Sequence, residues 1–364
     1  MDFDFADVLT KMVEERASDV HLTPGFPPAI RVRGRMAGME GFPVLSPQQT
    51  RDVVYNILNG DQRKRFENHK QIDFAYSIPG VARFRVNTYF QRGAISAAFR
   101  HIPHEIQSLD TLGLPPILTE LTKKPRGFVL VTGPTGSGKS TTLASMIDMI
   151  NAERHEHILT IEDPIEYLHS HRNCIVNQRE IGNDAEDFAL ALKAALRQDP
   201  DVILVGEMRD LETVSTALTA AETGHLVFAT LHTQSAAQTV DRIIDVFPTN
   251  QQQQVRMQLS IALQGVVTQQ LLPTADGAGR AAVAEVMIPT PAIRNLIREG
   301  KTHQIYSAIQ TSGALGMQTM DAHLAQLVRM GKITRALAEQ RASVPEELKR
   351  LLGGTPEPAA MRAA

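Results

Sequence analysis

Three features of the sequence converge on an α/β protein in which a phosphate-loop domain follows a smaller α+β domain. The first is Gly133-Pro134-Thr135-Gly136-Ser137-Gly138-Lys139-Ser140-Thr141, which fits the pattern G-x-x-x-x-G-K-[ST]. The second is its setting. Residues 128–132 are apolar and β-branched, as in a buried strand, and residues 141–150 place Leu143, Met146, Ile147 and Ile150 on one helical stripe. The third is strand–helix alternation that continues to about residue 230. Such alternation implies a mostly parallel sheet, helices on both faces and ligands at the strands' C-terminal ends.

The N-terminal elements follow from local signals. Residues 5–16 read as a helix, 18–22 as a strand, and 30–35 as a second strand after the turn-rich Pro24-Gly25-Phe26-Pro27-Pro28. Ser46-Pro47 is a helix start, a capping serine with proline at the first helical position, and Asn59-Gly60 ends that helix. Strands are expected over 72–78, 82–89 and 94–100, the first two separated by Pro79-Gly80. Within 82–89 the two-residue period sets Arg83, Arg85 and Asn87 on one face and Phe84 and Val86 on the other; Arg100 follows one strand later. The arginines therefore point away from the core, as a solvated basic face or as groups that serve a phosphate elsewhere.

Residues 102–114, with Pro103, Gly113 and the Pro115-Pro116 pair just beyond, read as the connection between domain 1–101 and domain 115–352. Strands are then expected over 158–161, 202–205 and 226–230, and helices over 185–197 and 211–223, the latter stopped by Gly224. After about Ala284 the chain reads as helical: Thr290-Pro291 is another cap-plus-proline start, and 317–330 and 334–342 follow. Residues 353–364 are small or proline-rich and are expected to be disordered.

Composition narrows the class. The length of 364 residues suits about two domains, and 43% apolar with 21% charged residues is ordinary for a globular protein. A net charge of −3 argues against a protein whose main business is binding nucleic acid. Cys174 is the only cysteine, so no disulfide framework or cysteine zinc module is expected. There is no apolar run of about 18 residues, and the chain does not open like a signal peptide. A cytoplasmic protein, reaching a membrane only through partners, is expected.

The motif chemistry is that of a nucleoside triphosphate with Mg²⁺. Glycines let successive backbone N–H groups turn inward around a polyphosphate, and the following helix N-terminus adds partial positive charge. Lys139 would reach the β- and γ-phosphates of ATP, and the Ser140 hydroxyl would hold Mg²⁺. Residues 201–205 form an apolar strand followed by Gly206-Glu207, and a strand beside the first is expected to bring Glu207 to the attacking water. Thr160-Ile161-Glu162-Asp163-Pro164-Ile165-Glu166 sets carboxylates at another strand end, with Glu162 and Asp163 the better candidates for Mg²⁺ or its water. His225 and His232 flank opposite ends of one strand, so a shared metal is not expected. Only His232 lies at the ligand-facing end, as a γ-phosphate sensor.

These residues together resemble a family. Ala17-Ser18-Asp19-Val20-His21-Leu22, the phosphate loop, the acidic box 160–166, Gly206-Glu207-Met208-Arg209-Asp210 and the box from Thr223-Gly224-His225 to Leu231-His232-Thr233 occur in this order. That succession resembles the secretion-superfamily ATPases of type IV pili and type II secretion. Ala292-Ile293-Arg294-Asn295-Leu296, Gly316-Met317-Gln318-Thr319-Met320-Asp321 and the missing four-cysteine zinc module resemble the pilus-retraction branch, with Met320 where leucine is usual. The resemblance implies a PAS-like N-terminal domain, a RecA-like ATPase domain with C-terminal helices, and a ring of six copies. It also implies docking on the inner-membrane pilus platform protein and pairing with a paralogous retraction ATPase. Arg83, Arg85 and Arg100 would reach the nucleotide of an adjacent copy, and His225 gains a role beside His232. An assembly ATPase, an accessory retraction paralogue, a RecA-like nucleic-acid motor and a nucleotide-gated scaffold without turnover are the alternatives.

Overall fold

The structure, a computed structural model, describes residues 4–32, 34–78, 82–102 and 105–353. Pro79-Gly80, Pro103 and the tail beyond 353 lie outside the described residues. The chain divides into two units, Met1–Glu105 with Pro164–Leu168, and Ile106–Asp163 with His169–Ala364.

In the first unit, α1 (Phe5–Glu14) is capped by Asp4, whose carboxylate accepts the Ala6 N–H. Then come β1 (Asp19–Leu22), β2 (Ala29–Val32), β3 (Arg35–Gly38), α2 (Pro47–Ile57), α3 (Gly60–His69), β4 (Gln71–Ile78), β5 (Ala82–Gln91) and β6 (Ala94–Ile102). The strands form an antiparallel sheet in the order β3-β2-β1-β6-β5-β4. Val20, Ile30, Phe74, Phe84, Val86 and Phe99 bury one face of it. Two expectations change. The strand over 30–35 is a hairpin: β2 ends at Val32, Gly34 takes φ 83°, and Arg35 opens β3 opposite Val32. Asn59-Gly60 is also a start, because the Asn59 side chain accepts the Gln62 N–H and the Gln62 side chain accepts the Asn59 N–H, a capping box that launches α3.

The second unit opens with a 3₁₀ turn over Leu109–Leu112 that is already part of it. Leu109 is buried beside Leu118 and Val129, and the Ser145 hydroxyl donates to the Gln107 carbonyl at 2.7 Å. There follow α4 (Ile117–Thr122), β7 (Gly127–Thr132), α5 (Lys139–Glu153), β8 (His157–Glu162), β9 (Ile175–Glu180), α6 (Phe188–Ala195), β10 (Val202–Val205), α7 (Leu211–Thr223) and β11 (Leu226–Leu231). Next come α8 (Ala236–Asp245), α9 (Thr249–Ala262), β12 (Leu263–Pro273), β13 (Arg280–Met287), α10 (Pro291–Arg298) and α11 (Ile305–Gln310). The described chain finishes with α12 (Met320–Arg329), α13 (Arg335–Arg341) and α14 (Pro345–Leu351).

The sheet order is β13-β12-β7-β11-β10-β8-β9, parallel throughout except for the β12–β13 pair. Successive strand residues divide between two cores. Val129, Val131, Leu204 and Phe228 pack with Leu143, Met146 and Ile147 of α5. Phe128, Leu130, Ile203 and Val227 pack with Leu192, Val214, Val240, Leu259 and Ile293 from α6 to α10. Strands buried on both faces have to be apolar throughout, which is why they read so clearly in sequence.

Other boundaries move for local reasons. Helix α6 starts at Phe188, not 185, because Ile181 bridges Ala185 and Asp187 caps the helix through the Leu190 N–H. Helix α12 starts at Met320, because Gln318 pairs with Val286 and Thr319 is the cap. The helical region begins after β13, at Pro291, and β9, β12 and β13 are strands that the sequence patterns did not disclose.

Candidate nucleotide site

Parallel pairing lines up the chemistry at one sheet edge. Thr132 pairs with Leu231, and Val205 pairs with both Ala229 and Ile161, so β7, β11, β10 and β8 end together. The phosphate loop, His232, Glu207 and Glu162 leave from these ends. One expectation is corrected: β10 is not beside β7, since β11 lies between them. That inserted strand puts His232 next to Glu207.

The loop's shape is dictated by crowding. A Cβ on Gly133, at φ 139°, would lie 2.2 Å from the Gln269 carbonyl oxygen, and one on Gly138, at φ 90°, 2.7 Å from Gln269 Nε2. The backbone contact at Gly133 excludes a side chain, the side-chain contact at Gly138 crowds one, and both positions demand a backbone that glycine alone adopts easily. Pro134, Thr135 and Gly136 form the exposed crown of the loop. Lys139, the first residue of α5 and largely buried, donates from Nζ to the carbonyls of Gly133 at 2.9 Å and Pro134 at 3.1 Å. Ser140 and Thr141 continue the first turn, where helix amides have no intrahelical acceptor. Glycine-shaped backbone, a lysine and a helix N-terminus together suit a polyphosphate. Among the described residues no group of three or more His, Cys, Asp or Glu could hold a metal. A divalent ion here would depend on phosphate oxygens and the Ser140 hydroxyl, as Mg²⁺ commonly does.

Glu207 Oε1 lies 3.0 Å from Nε2 of His232, and the Arg209 guanidinium donates to its other oxygen at 2.6 Å. Arg209 is the main reason that the Glu207 carboxyl sits below its ordinary value; burial opposes it, and His232 assists. Glu162 Oε1 accepts the Thr160 hydroxyl at 2.6 Å and the Gln178 amide at 3.3 Å, and the exposed Asp163 follows it. His225 is not brought to this edge. It precedes β11 at the opposite end, where Nδ1 lies 2.9 Å from the Ala220 carbonyl and closes the end of α7.

In the first unit, Arg85 and Arg100 stand directly opposite each other across β5 and β6, and Arg83 opposes Ile102. Their neighbours Phe84, Val86 and Phe99 are fully buried, so the alternating pattern is real. Arg100 Nε donates to Asp19 at 2.9 Å, and the Ser18 hydroxyl donates to the same carboxylate at 2.7 Å. Burial pushes Asp19 up, but the Ser18 and Arg100 hydrogen bonds outweigh it and leave the carboxyl below its ordinary value. The Ser18-Asp19 pair thus anchors Arg100, a role that the sequence did not disclose. Arg83 Nη1 donates to the Ser77 hydroxyl at 3.4 Å.

The two C-terminal boxes are fasteners. Arg294 reaches the carbonyl of Ser260, that of Ile261 at 2.8 Å and that of Leu263 at 3.0 Å, so it closes the end of α9 where β12 begins. Asp321, fully buried, accepts the N–H groups of Ser343 at 2.8 Å and Val344 at 3.0 Å and the Tyr306 hydroxyl at 3.2 Å.

The family model described as "Type II/IV secretion system protein" matches residues 4–336. The chain is 53% identical over 343 residues to the type IV pilus retraction ATPase PilT of Pseudomonas aeruginosa, covering 94% of this chain and 99% of that one. It is 45% identical over 349 residues to the type IV pilus ATPase PilU of the same organism, covering 96% of this chain and 91% of that one. A crystal structure of the pilus retraction motor PilT with bound ADP superimposes with a TM-score of 0.90 at 51% identity, covering 96% of this chain and 99% of that chain.

Proposed function

Because the chain belongs to the type II/IV secretion system protein family, we propose that it is an ATP-hydrolysing motor that retracts type IV pili and so powers twitching motility. The observation that carries this reading is the near full-length match to a retraction motor, whose solved relative binds ADP, together with a phosphate loop and a Glu207–His232 pair at one sheet edge. The lower identity to PilU makes the accessory retraction role the second choice.

The chemistry is in-line attack of water on the γ-phosphate. Loop amides and Lys139 take up phosphate charge, and Mg²⁺ would be held by Ser140, with Glu162 and Asp163 acting on it or on its water. Glu207, ionised, orients the attacking water and accepts its proton, while His232 reads the γ-phosphate from the neighbouring strand. We assign Arg83, Arg85 and Arg100 to the nucleotide of an adjacent copy in a homohexamer, where such arginines contribute about 10³–10⁵ in rate. His225 supports the same box from the far end of β11. A site completed by a second copy fires only when the two close, which converts hydrolysis into movement.

No helix among the described residues is long and apolar enough to cross a membrane. From its likeness to pilus motors, we assign the motor to the cytoplasmic face, held there by the platform protein, alone or with a paralogous ATPase. The test is deletion of the gene followed by counting of surface pili and assay of twitching. Hyperpiliated, non-twitching cells are expected. Bald cells would mean assembly, and normal pili with normal twitching would remove the retraction role.

A further inference from the structure

Gln269 lies outside every motif described above, yet both ends of the phosphate loop are built around it. It sits on β12, the neighbour of β7, and is 2% exposed. Its side-chain amide bonds in two directions. Nε2 donates to the Ser137 carbonyl at 2.8 Å, and Oε1 accepts the Thr142 hydroxyl at 2.9 Å. One end therefore holds the loop and the other holds the first turn of α5. The adjacent Thr268 hydroxyl lies 2.9 Å from that of Thr132, at the loop's base. The glycine requirement traces in part to the same residue, since its carbonyl oxygen excludes a Cβ at Gly133 and its side-chain Nε2 would lie 2.7 Å from one at Gly138.

We propose that Gln269 is a positioning residue for nucleotide binding: its amide sets the curvature of the loop, so that the Ser137–Lys139 backbone faces the phosphates. The proposal rests on residues 133–141 being the ATP site. It makes β12 a shared element, because Arg294 grips Leu263 at the strand's other end.

The direct test is the dissociation constant of a fluorescent ADP, with KM and kcat for ATP, on the full-length protein carrying Gln269→Met. Methionine keeps the bulk and loses both hydrogen bonds. Each bond contributes modestly, so about tenfold weaker binding is expected, with KM rising more than kcat falls. Parental affinity in this variant, or a loss confined to kcat, would overturn the proposal. Gln269→Glu adds a pH readout. Its carboxylate opposes the Ser137 carbonyl, whereas its protonated form regains a donor, so its affinity should approach the parent's as pH falls; no such trend contradicts the proposal. Should the methionine variant fail to fold, Thr142→Val removes one of the two bonds and should weaken binding about threefold; parental binding there overturns the idea. Lys139→Ala separates the two levels: if it binds ADP like the parent, the phosphate-loop reading itself fails, independently of Gln269.

Discussion

Glu207 Oε1 and His232 Nε2 lie 3.0 Å apart, joining the ends of two adjacent parallel strands. A residue that senses the γ-phosphate would thereby touch the group that handles water. On the roles proposed above, a shift of His232 against a γ-phosphate would carry the Glu207 carboxylate with it.

The acid limb of turnover should belong to Glu207 and depend on Arg209. The Arg209 hydrogen bond, with His232 assisting, holds the Glu207 carboxyl below its ordinary value. The lowered position keeps it ionised, and competent as a base, to lower pH than a free glutamate. Arg209→Gln should raise it, so the acid limb of the kcat–pH profile moves to higher pH. A limb that stays in place would show that another group controls it.

Arg83→Ala should leave ADP binding within about twofold and lower turnover by about 10³–10⁵, the range for an arginine supplied to phosphoryl transfer. Equilibrium binding and phosphate release on the same preparation check both halves. Near-normal turnover would remove the arginine argument and return the β5 face to plain solvation.

Arg294→Ala strips three carbonyls at the α9–β12 junction of their donor. A stability loss of about 1–3 kcal/mol is expected, seen as a lower melting temperature. Lysine should recover only part, since one ammonium cannot reproduce the fork of a guanidinium. If the motif also transmits motion, pilus retraction stops in this variant while ATPase survives. Loss of both together would make it purely structural.

Asp321→Asn should cost about 2 kcal/mol in denaturant unfolding, because an amide can accept only part of what the buried carboxylate accepts and turns a donor toward donors. Unchanged stability would contradict the fastening role of that box.

Much of the site was legible before the structure. Residues 202–205 and 226–231 are buried on both faces, so they read as apolar runs, and Glu207 and His232 stand out just past their ends. The alternation of Arg83 and Arg85 with Phe84 and Val86 was equally plain, because one face of that sheet is core. Sheet order was not legible, since no local signal says that β11 inserts between β7 and β10. Gln269 was hidden for a different reason. Thr268-Gln269-Gln270 looks too polar for a buried strand, and only the loop that it braces, some 130 residues away, explains it. Helix α3 hides behind Asn59-Gly60, which reads as a stop although Gln62, three residues on from Asn59, marks a start.

Phosphate release by the purified full-length chain, measured beside Glu207→Gln, tests the central claim most directly. The parent should hydrolyse ATP, and the variant should bind ATP normally yet turn over about 10²–10⁴ times more slowly, the usual contribution of a positioned general base. A Glu207→Gln protein that releases phosphate at the parental rate would contradict the account.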